Sequence, residues 1–152
     1  MLATTPSSDV ITANVQSALA EDLGGAVNAS NDITANLIDP TTQATATMIT
    51  REPCIVAGIP WAQEAFRQID SSVNILWHCE DGDALQPDDA VATLTGSAQA
   101  ILTAERTALN FLQTLSATAT TTSTYAALLA GSDTKILDTR KTLPGLRLAQ
   151  KY

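Results

Sequence analysis

The sequence predicts an α+β fold, and three observations carry that expectation. An amphipathic helical stretch opens the chain. Four short segments that read as strands follow, with one helical insert. Then comes a long stretch without Gly or Pro that repeats apolar residues at helical spacing. The first helix is expected over 8–23, where Val10, Ile11, Val15, Ala18 and Leu19 recur on one face. Ser8 or Asp9 can cap its start, and Gly24 can end it. A loop through Gly25, Asn28 and Asn31 leads to Asp32-Ile33-Thr34. Residues 43–51 read as a strand because they are rich in β-branched side chains. Pro53 interrupts, and Cys54–Gly58 reads as a second strand. Pro60 suits the first turn of a helix, where its missing N–H has no partner to lose. That helix runs to Ile69, with Trp61, Ala65 and Phe66 on its apolar face. Val73–Trp77 is the third strand, Asp81-Gly82-Asp83 a turn, and Ala90–Leu94 the fourth strand, stopped by Gly96. Residues 98–116 then form a helix with Ile101, Glu105, Leu109 and Leu112 on one face. Residues 117–130 read as a second helix ending at Gly131, although five threonines lower its propensity. Lys135–Thr139 reads as a short buried strand, and the loop after it runs from Arg140 to Arg147.

Composition bounds the function. The 152 residues are 45% apolar and 16% charged, which marks a globular chain large enough to bury a core. Aromatics make up 4%, so Ala, Leu, Ile and Val must build most of that core. The net charge of −8 argues against general nucleic-acid binding, which wants a basic face. The charge is unevenly placed. Residues 1–105 hold two arginines, Arg51 and Arg67, against fourteen acids. Residues 106–152 hold six cations against two acids, Asp133 and Asp138. A basic end on an acidic chain fits a local anion site, or chance clustering of few cations. The two cysteines, Cys54 and Cys79, have no disulfide or zinc spacing and are expected to be reduced, buried thiols in a cytoplasmic protein. No run of eighteen apolar residues occurs, so no membrane span is expected, and Met1–Asp9 lacks the pattern of a signal peptide.

Two places can carry chemistry. In the first, Arg140, Lys141 and Arg147 follow directly on the C-terminal end of an expected strand. Ligands of α/β folds bind at that end, and an Arg fork holds a carboxylate or phosphate with two hydrogen bonds. Pro144-Gly145 would turn and stiffen the loop. The alternative is a solvated basic loop. In the second, Arg106, Asn110 and Gln113 share one face of the long helix, either reaching a ligand or forming its wet side. The lone His78, between Trp77 and Cys79, reads as a strand residue rather than a metal ligand. Asp81, Asp83, Asp88 and Asp89 read as turn and cap residues, because their spacing fits no calcium loop.

Leu137-Asp138-Thr139-Arg140-Lys141-Thr142, with Pro144-Gly145-Leu146-Arg147 and Lys151-Tyr152, resembles the motif at the first barrel strand of quinolinate phosphoribosyltransferases. Ala104 to Leu112 and Leu115-Ser116 resemble the helix before it. Ala18 to Gly24 with Asp32-Ile33-Thr34 resembles the N-terminal motif of the same family, and Gly58 and Asp81-Gly82-Asp83 fall where the family has similar residues. The resemblance implies an open α/β sandwich over 1–115, followed over 116–152 by a linking helix and the start of an incomplete α/β barrel. It implies phosphoribosyl transfer from phosphoribosyl pyrophosphate to quinolinate, with magnesium, giving nicotinate mononucleotide, pyrophosphate and carbon dioxide. It also implies a homodimer. Lys141 is then the catalytic residue, and Thr139, Arg140 and Lys141 line the quinolinate site. Arg106 reaches into the partner subunit's site, while Arg147 and Asn110 have lesser roles.

This chain departs from the family pattern in places. Ala117 stands where the family has Gly, which would alter an expected helix–helix turn, and Thr120 to Thr124 lacks the family's arginines. The magnesium ligands are expected beyond residue 152, and no metal site is expected within 1–152. By itself the chain is therefore expected to be inactive. Other readings are a non-catalytic dimerisation or binding module, a nicotinate-using relative, or a molybdenum-transport-associated paralogue.

Overall fold

The computed structural model describes residues 5–152, so residues 1–4 of the Met1–Asp9 segment read for a leader lie outside it. Helix α1 spans Ser8–Asp22 and buries Ile11, Val15 and Leu19, one residue per turn. Its cap position is Ser7 rather than Ser8 or Asp9, and the Ser7 side chain makes no capping bond; Asp9 lies in the first turn, where its charge suits the helix dipole. The loop that follows is pinned by its own side chains. The Asn31 amide donates to the Leu23 carbonyl, and the Asp32 carboxylate accepts from the Ala35 N–H.

Strands β1 (Gln43–Ile49), β3 (Asn74–Trp77) and β5 (Ala90–Ser97) form an antiparallel sheet in the order β1-β5-β3. Thr45, Thr95 and Asn74 stand in one row of the sheet, and Thr47, Thr93 and Leu76 in another. Alternation decides the faces. Met48, Ala92 and Leu94 enter the core, whereas Thr45, Thr47, Thr95 and Leu76 are exposed on the opposite, open face. β5 continues through Gly96 to Ser97, past the stop expected after Leu94. A side chain at 96 would have its Cβ 3.2 Å from the Val73 Cα, so only glycine lets these backbones approach.

The second expected strand is shorter than predicted. Only Cys54–Ile55 (β2) pairs, with Ala84–Leu85 (β4), a strand the sequence reading did not contain. Gly58 instead becomes the left-handed N-cap of helix α2, Ile59–Ile69, with Pro60 in the first turn. Trp61, Ala65 and Phe66 are buried, as their spacing predicts.

Helix α3 runs unbroken over Ala98–Leu128. The sequence predicts two helices here, because threonines favour other conformations, and a turn near Ala117. The threonines instead bond back to the preceding turn. Thr118, Thr120, Thr122 and Thr124 each donate to the carbonyl four residues earlier, at 2.7–3.1 Å. The buried stripe is Ile101, Ala104, Ala108, Phe111, Leu112 and Leu115, with Glu105 and Leu109 at its margin rather than its centre. Ala104 and Ala108 are wholly buried and small, which lets α3 lie close against α2.

The expected strand Lys135–Thr139 does not form. Residues 134–139 have no regular structure, because no neighbouring strand supplies the ladder that a parallel strand needs. The chain closes in a short helix, α4 (Arg147–Lys151), where the sequence reading has Arg147 as the end of a loop. Its residues, Arg-Leu-Ala-Gln-Lys, are all strong helix formers.

Candidate functional site

The cations from the basic end fall into two groups. Arg106 lies on the exposed face of α3 with Asn110 and Gln113. Its Nη1 donates to Asp22 Oδ1 of α1 at 2.8 Å, tying the two helices. No hydrogen bond or ion pair among the described residues joins Arg106 or Asn110 to the later cations.

The second group lies on the Thr139–Arg147 segment. Thr139, Arg140, Lys141 and Arg147 are all exposed. Thr139 Oγ1 accepts from the Lys141 N–H at 3.2 Å, which folds the backbone so that Arg140 sits at the bend. Arg140, Lys141 and Arg147 have no carboxylate partner among the described residues. Three unneutralised cations within eight positions concentrate positive charge on this segment. Arg147 opens α4 and lines a shallow hollow with Val10 of α1, Thr142, Pro144 and Leu148.

The segment is closed by its own contacts. Lys151 pairs with Asp138, and the Leu143 N–H donates to Gln150 Oε1 at 2.8 Å. It is also fastened to the α1/α2 layer. Ala149 is buried, the Asn14 amide donates to the Gly145 carbonyl at 3.3 Å, and the Tyr152 hydroxyl donates to Asp81 Oδ2 at 2.7 Å. Burial, then the bond to Asp81, push the Tyr152 phenol up to about 12. Asp81 is thus more than the turn residue the spacing suggests. Its other oxygen accepts the Ile59 N–H at the start of α2.

Other titratable groups serve the scaffold. Glu64, on the α1-facing side of α2, accepts from Thr12, Arg67 and Gln68. The bond from Arg67 is the main reason its carboxyl is lowered to about 2. Burial pushes the Cys79 thiol up, followed by the nearby charges of Asp83 and Asp81. His78 Nε2 meets Thr93 Oγ1 at 2.8 Å, a cross-strand contact on the exposed face. Among the described residues no group of three or more His, Cys, Asp or Glu side chains could hold a metal ion. No described helix is long and apolar enough to cross a membrane.

The site is thus an α+β layer joined by one long helix to a cation-bearing segment, and comparison with known proteins assigns it to a family. The family model for the quinolinate phosphoribosyl transferase N-terminal domain matches residues 32–116, and that for the C-terminal domain matches residues 118–152. The chain belongs to the quinolinate phosphoribosyl transferase family. It is 38% identical over 141 residues to the nicotinate-nucleotide pyrophosphorylase (carboxylating) of Mycobacterium leprae, covering 91% of this chain and 48% of that one. It is 37% identical over 132 residues to the probable nicotinate-nucleotide pyrophosphorylase (carboxylating) of Bacillus subtilis, covering 87% and 44%. The solved nicotinate-nucleotide pyrophosphorylase of Francisella tularensis superposes with a TM-score of 0.90 at 43% identity, over 99% of this chain and 51% of that one. The chain spans about half the length of the relatives it matches.

Proposed function

We propose that this chain supplies the quinolinate-binding cations of an enzyme that transfers a phosphoribosyl group from phosphoribosyl pyrophosphate to quinolinate, with loss of carbon dioxide. The observation that carries the reading is the set of unpaired cations on the Thr139–Arg147 segment of a family member. Quinolinate is a dianion, and each carboxylate needs its own fixed cation. Arg140 offers the planar fork, and Lys141 the point charge beside it. Thr139 shapes the bend between them. Fixed positive charge also stabilises electrons left on the ring as the 2-carboxylate departs, which is the catalytic role given to Lys141. Arg147 and Asn110 are given supporting roles. Arg106 is assigned to the partner subunit's site in a homodimer, and its exposure on α3 is compatible with such a reach. Magnesium, needed for the pyrophosphate group, is assigned to ligands outside 1–152. The division into 1–115 and 116–152 is supported by the handover between the two family models, and a cytoplasmic setting by the two free thiols.

A titration with quinolinate and with nicotinate tests this. The expected result is preference for the dicarboxylate, and at least tenfold weaker quinolinate binding for Lys141→Ala, as for a lost charged hydrogen bond of about 1.5–3 kcal/mol. Equal affinity for the two acids would remove the reading. One observation favours a second reading for this polypeptide by itself, that of a non-catalytic binding or dimerisation module: residues 134–139 pair with no strand.

A further inference from the structure

We propose that Asn14, Asp81 and Tyr152, all outside the cation loop, are positioning residues that fix Arg140 and Lys141 at the spacing a pyridine dicarboxylate requires; this rests on the functional reading above. The two fastenings converge on one buried indole. Trp61 is wholly buried, and its Nε1–H can only donate. Asn14 Oδ1 is its acceptor, at 3.3 Å. That bond settles the orientation of the Asn14 amide and leaves its NH2 group facing the Gly145 carbonyl. The Tyr152 ring packs on the same indole, with centroids 5.4 Å apart. Asp81, held at the first turn of α2 by the Ile59 N–H, has one oxygen left, and Tyr152 fills it.

These bonds reach the cations through α4. Asp138 before the loop is paired with Lys151, and Leu143 within it is bonded to Gln150. The loop is thereby tied to α4, and α4 is seated by Gly145 at one end and Tyr152 at the other. A loop ordered before ligand arrives spares the ligand the entropic cost of ordering it. If the loop were free, both carboxylates could still attract the cations, but discrimination between one carboxylate and two would fall.

Two conservative variants separate positioning from packing. Tyr152→Phe keeps the ring on Trp61 and removes only the bond to Asp81. Asn14→Asp keeps the acceptor for Trp61 and replaces the donor to Gly145 with a charged oxygen that its carbonyl repels. Both are made in the full chain and read three ways: thermal unfolding, amide hydrogen exchange over 139–147, and the ratio of quinolinate to nicotinate affinity. Each variant is expected to speed exchange at 139–147 relative to α1 and α2, and to lower the affinity ratio about tenfold, equivalent to about 1.4 kcal/mol. Unchanged exchange overturns the proposal. So does faster exchange with an unchanged ratio, which would make the contacts purely structural. If the parent chain takes up no quinolinate, the functional reading fails, and the exchange measurement alone decides whether the segment is fastened as described.

Discussion

At the scale of single residues, Glu64 shows how a charge can stay inside this scaffold. Three side chains donate to it, and the Arg67 fork makes bonds of 2.5 and 2.6 Å. Its folded pKa, about 2, lies below the ordinary value of 4.5, so its contribution is complete above pH 4.5 and is lost as pH falls towards 2. Because Arg67 is 58% exposed, the contribution is discounted to on the order of 2 kcal/mol. Glu64→Gln is expected to be less stable by about that much at pH 7 by denaturant unfolding, and the gap should close by about pH 2. Gly58 is a second such residue. Its φ is +109°, and an added Cβ would lie 3.1 Å from Leu115 Cδ1. Gly58→Ala is expected to cost about 1–3 kcal/mol, as a drop in melting temperature, and no drop would mean that α2 can start elsewhere. The cations were legible at this scale because charge is visible without structure. The pairing of Tyr152 with Asp81 was not, since the partners are 71 residues apart and only tertiary closure brings them together.

At the scale of elements, α3 completes a strand. β2 pairs with β4 on one edge only. On the other edge, the Ile55 N–H donates to Thr120 Oγ1 at 2.9 Å, and the Ala57 N–H donates to Ser116 Oγ at 3.0 Å. Ser116 Oγ also donates to the Ala57 carbonyl. Two hydroxyls thus take the place of a neighbouring strand and protect an edge that would otherwise be open. Thr120→Val, which keeps the shape and removes the acceptor, is expected to destabilise by about 1–3 kcal/mol, whereas Thr120→Ser should lose much less. Equal losses in the two variants would show that the hydroxyl contributes little. The same threonines explain why one helix was read as two. Propensity counts their stiffness and cannot see the carbonyls and strand N–H groups that occupy their oxygens. For Lys135–Thr139 the failure is different. An apolar run signals a strand only if partners exist, and pairing is not a property of the segment itself.

At the scale of the whole molecule, the α+β class and the order of α1, β1, β2, α2, β3, β5 and α3 followed from periodicity, while β4, the continuity of α3 and the end of the chain did not, and the family resemblance implied the open sandwich. Lys135–Thr139 has no neighbouring strand and the chain spans about half the length of its relatives, so the 152-residue chain by itself is expected to show no measurable nicotinate mononucleotide formation in a steady-state assay. Turnover would mean that the chemistry needs less than the reading assumes. The continuity of α3 has a further consequence, for the lengths that evolution or engineering can alter. Along a helix of 31 residues, one extra residue after Ala117 advances all that follows by about 1.5 Å and swings it through roughly 100°. The loops at Gly24-Gly25 and Gly131 can absorb such a change locally; the helix cannot, and a single inserted codon would turn Thr120 away from the Ile55 N–H while Ser116 stays against Ala57. Sequence length between Ser97 and Leu128 is thus a mechanical setting, comparable to the pitch of a screw.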